Sequence, residues 1–378
     1  MTRAPVLRAL AWVIGAAVVV AWPFVADEQW LTVGAFVAIA TIGALSLQVL
    51  TGFTGLVSLG QAAFFGIGAY VASCLGPGVH PEVDALLGAL PDGIAWFAGN
   101  AHGWPLFLGL LVAGLCAGFV GLLIAPAAIR LSGIYLAIVT LGMIFAAQHL
   151  FIHWTWLTGG AQGVSLSAPA IGSFAFEGTT RLGDLALSRS AKLFYLAVVV
   201  AALTAFSVLR LQRSRAGRAL QAIRDNETAA AMSGIDVKRY KIAAFVAADF
   251  IAGIGGALYG TQFGFALPET WDLNLSVMYV AMIIIGGLGL VRGAIIGATF
   301  VTILPPALRD VLGENASLFG LNAPQLNLVV FGVAIVIFLT IAPGGIARFQ
   351  WRRRLKAQVE LAKPAPRPAA LEQDLGPT

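Results

Sequence analysis

Apolar stretches about 20 residues long recur along nearly the whole chain, and each is the length a helix needs to cross a bilayer. Ten such spans can be placed: 7–26, 30–50, 56–75, 105–125, 132–152, 192–210, 241–264, 275–291, 293–309 and 325–345. Composition agrees, since 59% of the residues are hydrophobic and 11% charged, against roughly 45–50% and about 25% in soluble domains. The expected fold class is therefore all-α, a polytopic transmembrane helical bundle of about ten spans.

Lys and Arg are retained on the cytoplasmic side of a membrane, so their placement orients the spans. With the N-terminus inside, 19 of the 23 basic residues face the cytoplasm, and only Arg181, Arg189, Lys192 and Arg309 face outward. Both termini are then cytoplasmic, and the pI of 9.5 reports topology rather than nucleic-acid binding. Arg3 and Arg8 precede the first span as they would in a signal peptide. Phe24-Val25-Ala26 nevertheless lacks the small residue that cleavage requires at the third position, so the span is read as a retained helix. Residues 350–378 begin basic and turn to Pro and Ala, the composition of a disordered cytoplasmic tail beside membrane lipid. Cys74 and Cys116 both fall in apolar segments, and neither a disulfide framework nor a zinc spacing is present.

The stretch from Thr51 to Tyr70, TGFTGLVSLGQAAFFGIGAY, places five glycines in an apolar run. In water each would cost a helix roughly 0.5–1 kcal/mol relative to Ala. Inside a membrane, small residues instead let helix backbones approach. Ala62, Gly66, Ala69 and Ser73 share one helical face opposite Phe64 and Phe65. Upstream, Gly52, Gly55, Ser58, Gly60 and Gln61 crowd a bend into the span. Irregular backbone at membrane depth needs protein or a water-filled cavity around it. Ser58 and Gln61 thus either line a solute pathway or belong to a tightly packed turn. Tyr135 and Thr140, in LSGIYLAIVTLG, pose the same choice between lining and interhelical hydrogen bonding. His149 and His153 are spaced like a zinc pair but lack a third ligand, and beside Trp154 and Trp156 they read as membrane-interface residues. Asp249 is the one acid placed inside a span, where insertion costs about 2.5–3.5 kcal/mol. It is a polar lining group, a proton site or a hydrogen-bond partner for a neighbouring helix.

The segment 211–240 is too charged to span and too rich in Ala, Arg, Gln and Glu to be a plain loop. A helix through Met232 is expected, with Ser233-Gly234 ending it and Gly234 supplying a left-handed cap. Leu220, Ile223, Ala230 and Ala231 put a weak apolar stripe on it, suited to a groove on a partner. The alternative is a solvated basic loop that only anchors topology.

Four motifs occur in one order: Leu47 to Ser73; LSGIYLAIVTLG with WLTGGAQGVS; GRALQAIRDNETAAAMSGID with KIAAFVAADFIAGIGGALYG; and MIIIGGLGLVRGAIIGA. Together they resemble the permease subunits of the branched-chain amino acid ABC importer family. The resemblance implies a permease domain over 1–349 and a coupling helix over Gly217 to Gly234. Gly217, Arg218, Arg224, Glu227, Ala230 and Gly234 are its coupling candidates. It also implies a bacterial inner-membrane location, a second permease subunit, two ATP-binding subunits and a periplasmic substrate-binding protein, and as cargo a small polar solute. The family commonly has His where Gln61 stands and Ser where Asp249 stands, which leaves open permeases for urea, short amides or other amino acids. None of the five lysines follows a glycine, so the chain has no Walker A loop, and ATP is expected on the partner subunits. No cofactor, metal site or catalytic residue is expected, because no paired carboxylates, activated Ser or metal cluster occurs at membrane depth. An ion-coupled secondary transporter with Asp249 as its proton site is the rival of a different class.

Overall fold

The computed structural model describes residues 21–77, 104–131, 133–171, 174–182 and 185–312, with isolated positions at 79–85 and 329–340. Apart from its last residues the span expected at 7–26 lies outside the described residues. So do most of the loop 76–104, Ser132, the continuous span 325–345 and the tail.

Among the described residues, eight apolar helices follow the expected spans. They are α1 (Glu28–Leu47), α2 (Gln61–Cys74), α3 (Leu106–Arg130), α4 (Ile134–His153), α5 (Arg189–Arg213), α8 (Val237–Phe263), α9 (Leu273–Gly286) and α10 (Val291–Leu312). Two short polar helices, α6 (Arg215–Asp225) and α7 (Glu227–Met232), join α5 to α8. Among the described residues, six of the apolar helices are long enough to cross a membrane. With 14 residues each, α2 and α9 reach only about 21 Å of a hydrocarbon core about 30 Å thick.

The chain is not purely helical. Short strands cluster at the end of the bundle opposite α6 and α7: Trp104–Pro105 pairs in parallel with Pro169–Ile171, and Val164–Ser165 pairs antiparallel with Phe265–Ala266. These pairings satisfy backbone groups where helices stop. The helix starts are capped by side chains that the sequence supplies. Ser188, Ser214, Asn226, Asp236 and Asp272 each accept a hydrogen bond from the backbone N–H three residues on.

α8 is the central column, packed against α1, α2 and α3. Glycines set those distances. A Cβ on Gly68 would fall 2.0 Å from the Gly253 carbonyl oxygen, one on Gly256 2.0 Å from that of Phe65, and one on Gly253 2.4 Å from that of Ala113. The single packing face expected for α2 needs correction here. Phe64 and Phe65 are as buried as Ala62 and Ala69, and the closest approach to α8 runs along Phe65 and Gly68. A short helix enclosed by neighbours has no lipid face, so a stripe of small residues does not orient it.

Candidate functional site

Two interruptions in the helical bundle define the region of interest. α1 continues into a π-helical turn, Gln48–Phe53, after which residues 55–60 are non-helical until α2 begins. α9 likewise ends at Gly286, and residues 287–290 form a bend before α10. Gly55, Gly287 and Gly289 adopt φ of 74°, 116° and 83°, values that a residue with a Cβ reaches only under strain. The two bends meet. A Cβ on Gly289 would lie 3.5 Å from the Gly52 carbonyl oxygen. Gln48, fully buried, turns its amide oxygen to the N–H groups of Gly289 and Leu290, each 2.6 Å away.

Of the residues read as pathway candidates, three gather at the first bend. Ser58 is buried, and its hydroxyl accepts from the Gly60 N–H at 3.3 Å. The Gln61 amide donates to Ser46 Oγ at 2.9 Å, and Ser46 in turn donates to the Ala248 carbonyl of α8 at 2.6 Å. Buried Thr140 on α4 accepts from the Leu59 N–H at 2.9 Å and donates to the Ala137 carbonyl at 3.1 Å. One further bond ties the short helices together, from the Ala62 N–H at the start of α2 to Ser276 Oγ on α9, 2.9 Å. Ser46, Gln48 and Ser276 were missed by sequence reasoning, although a polar side chain within an apolar span was the available signal.

The other two pathway candidates lie elsewhere. Tyr135 is 70% exposed on α4. Asp249 is buried between α8 and α3, where a Cβ on Gly121 would meet Asp249 Oδ2 at 2.1 Å, so the carboxylate fills the notch that this glycine leaves. Oδ2 has no hydrogen-bond partner among the described residues. The rings of His149 and His153 stack 3.9 Å apart, and among the described residues no group of three ligands suited to a metal occurs.

The charged segment forms two helices rather than one. Asn226 breaks the run, with its side chain accepting from the Ala229 N–H to start α7. α7 ends in a Schellman motif, with Gly234 at φ 83° and Ile235 N–H bonded to the Ala230 carbonyl at 3.1 Å. Leu220, Ile223 and Ala230 are buried against the bundle while Ala231 is exposed. Arg218 stays on the exposed side, its guanidinium donating back to the Arg213 carbonyl at 3.0 Å. Of the remaining coupling candidates Gly217 and Ala230 are buried, whereas Arg224, Glu227 and Gly234 are exposed, the first two reaching back to the bundle through their polar ends. Gly217 sits in the α5–α6 elbow, where a Cβ would lie 2.1 Å from the Leu211 carbonyl oxygen. Glu227 pairs with Lys241 Nζ through both oxygens at 2.8 Å. Arg224 reaches the bends, where Nη1 donates to the Gly52 carbonyl. Met232 on α7 is an apolar side chain turned outward, 86% exposed. Beside α7 is an open cleft of about 460 Å³ between Ile129, Thr228, Ala231 and Lys238.

A polytopic helical chain with broken short helices and a capped polar helix pair at one end has known relatives. A family model described as the branched-chain amino acid transport system permease component matches residues 29–339. The high-affinity branched-chain amino acid transport system permease protein LivM of Escherichia coli K12 is 29% identical over 340 residues, covering 86% of this chain and 72% of that protein. The autoinducer 2 import system permease protein LsrC of Enterobacter sp. 638 is 28% identical over 57% of this chain and 58% of its own length. The fructose import permease protein FruG of Bifidobacterium longum is 26% identical over 63% of this chain and 67% of its own. No solved structure matches the chain significantly. The match over most of its length shows that the chain belongs to the permease-component family of branched-chain amino acid transport systems.

Proposed function

We propose that this chain carries leucine, isoleucine or valine across the bacterial inner membrane as one permease of an ABC importer, coupled through residues 211–240 to separate ATPase subunits. A second permease, two ATP-binding subunits and a periplasmic binding protein complete the assembly, and ten spans place both termini in the cytoplasm. The observation that carries this reading is the α6–α7 pair, which is rooted in the bundle by Leu220, Ile223 and Ala230 while presenting Met232 outward. A solvated anchor loop needs neither three caps nor an exposed thioether, whereas a helix docking into a groove uses both. The branched-chain solute is supported by the family description and by the extent of the match to LivM. Similarity to LsrC and FruG keeps other small polar solutes as the second reading.

The second permease has a natural surface on α4. Tyr135, Val139, Gly142, Ala146, His149 and His153 follow one exposed stripe, beside a purely apolar stripe of Ile134, Ile138, Phe145 and Ile152 suited to lipid. A Cβ on Gly142 would meet nothing within 4 Å, so another backbone can approach there.

Co-purification tests the coupling. Met232→Asp should remove the ATPase from the detergent-solubilised complex while the permease stays at normal abundance in the membrane. Undiminished co-purification would take the docking role from α7. Mass spectrometry of the small molecule held by the co-purifying binding protein identifies the solute.

A further inference from the structure

The coupling segment contacts the bundle at a place that explains how a push on it could reach the pathway, and this inference rests on the coupling reading above. Arg224, at the end of α6, touches both glycine bends at once. Its Nη1 donates to the Gly52 carbonyl. Its Cγ lies 3.2 Å from where a Cβ on Gly55 would be, and its Nη1 2.7 Å from where one on Gly289 would be. The same bend is held from α5 by Gln212, whose amide donates to the Gly289 carbonyl at 3.0 Å. Gln48 closes the node from α1. A Cβ at Gly55 would press on the Arg224 stem and one at Gly289 on its guanidinium, and both glycines hold a positive φ that residues with a Cβ rarely adopt. The seat for the guanidinium is therefore built from backbone, which is stiffer than side chains.

We propose that Arg224 is the positioning residue that transmits movement of α6 to α2 and α9 together, rather than a contact for the ATPase. Both short helices begin or end at a bend that Arg224 touches, and the Ala62–Ser276 hydrogen bond links them beyond the bends. A displacement of α6 therefore loads both interruptions through one side chain, and the two short helices move as a pair. Lys would supply the charge without the planar guanidinium that reaches both bends.

The test uses the full transport complex with Cys74 and Cys116 replaced by Ala and a reporter at Val57→Cys, a position 38% exposed in the first bend. Maleimide labelling of the reporter is compared with and without ATP and vanadate. With Arg224 present the labelling rate should change about fivefold or more. With Arg224→Gln the ATPase should still co-purify and hydrolyse ATP, but the rate should no longer respond. An unchanged response in Arg224→Gln overturns the inference, and so does loss of the ATPase from a normally abundant variant, which would make Arg224 a docking residue. Should Arg224→Gln not accumulate, Arg224→Lys is judged by the same criteria. If the Arg224 complex itself ignores ATP, the coupling reading falls first and takes this inference with it.

Discussion

At Gly217 a single absent atom fixes an elbow. Adding one methyl group would drive it into the Leu211 carbonyl and the Gln212 backbone, so Gly217→Ala should lower stability by about 1–3 kcal/mol, read from thermal unfolding in detergent. The Glu227–Lys241 pair gives a test of asymmetry. Lys241 is 4% exposed and Glu227 51% exposed at the side chain, so the two truncations are not equivalent. Glu227→Gln leaves a buried ammonium without its counter-charge and should cost about 1–3 kcal/mol, whereas Lys241→Met leaves only a solvated carboxylate and should cost less. Equal losses would contradict the assigned burial. At Asp249 the expectation is reversed. Its Oδ2 has no hydrogen-bond partner among the described residues, and burying an unbonded polar group is unfavourable. Asp249→Ser should therefore raise thermal stability, by about 1 kcal/mol, and leave transport intact. Loss of transport with a gain in stability would give the carboxylate a functional role.

At the scale of elements, the periodic and apolar signals were legible in the sequence and the interruptions were only half legible. The extents of α3, α4 and α5 follow directly from hydropathy, because lipid-facing or core-facing apolar runs end where charged or aromatic residues begin. The glycine cluster at 52–60 announced a bend, but composition does not say that it meets a second bend 230 residues on, since that meeting is a tertiary fact. The partners of Gln48 and Gln212 were unreadable for the same reason, as each is spent on backbone groups of a distant segment. The break at Asn226 was missed because Ala, Arg, Gln and Glu favour helix on both sides of it, while the residue itself favours a cap. Packing of α8 gives this scale its own prediction. Gly256→Val would put side-chain carbon into the Phe65 carbonyl and separate α2 from α8. The variant should reach the membrane but unfold at a clearly lower temperature, a loss of about 3 kcal/mol or more in line with severe core disruption.

In the whole molecule, one bundle joins two ends of different character. At one end lie the paired strands. At the other, α6 and α7 lean on glycine bends from which two short helices run inward. This arrangement suits alternating access, because helices that stop short of the full bilayer can shift while the six long ones hold the frame. All of it depends on which side of the membrane α6 and α7 occupy. Labelling of Met232→Cys with a membrane-impermeant maleimide, in a background lacking Cys74 and Cys116, decides that point most directly. The account predicts no reaction in intact cells, reaction in inverted membrane vesicles, and protection in vesicles that retain the ATPase. Reaction from outside in intact cells would contradict it.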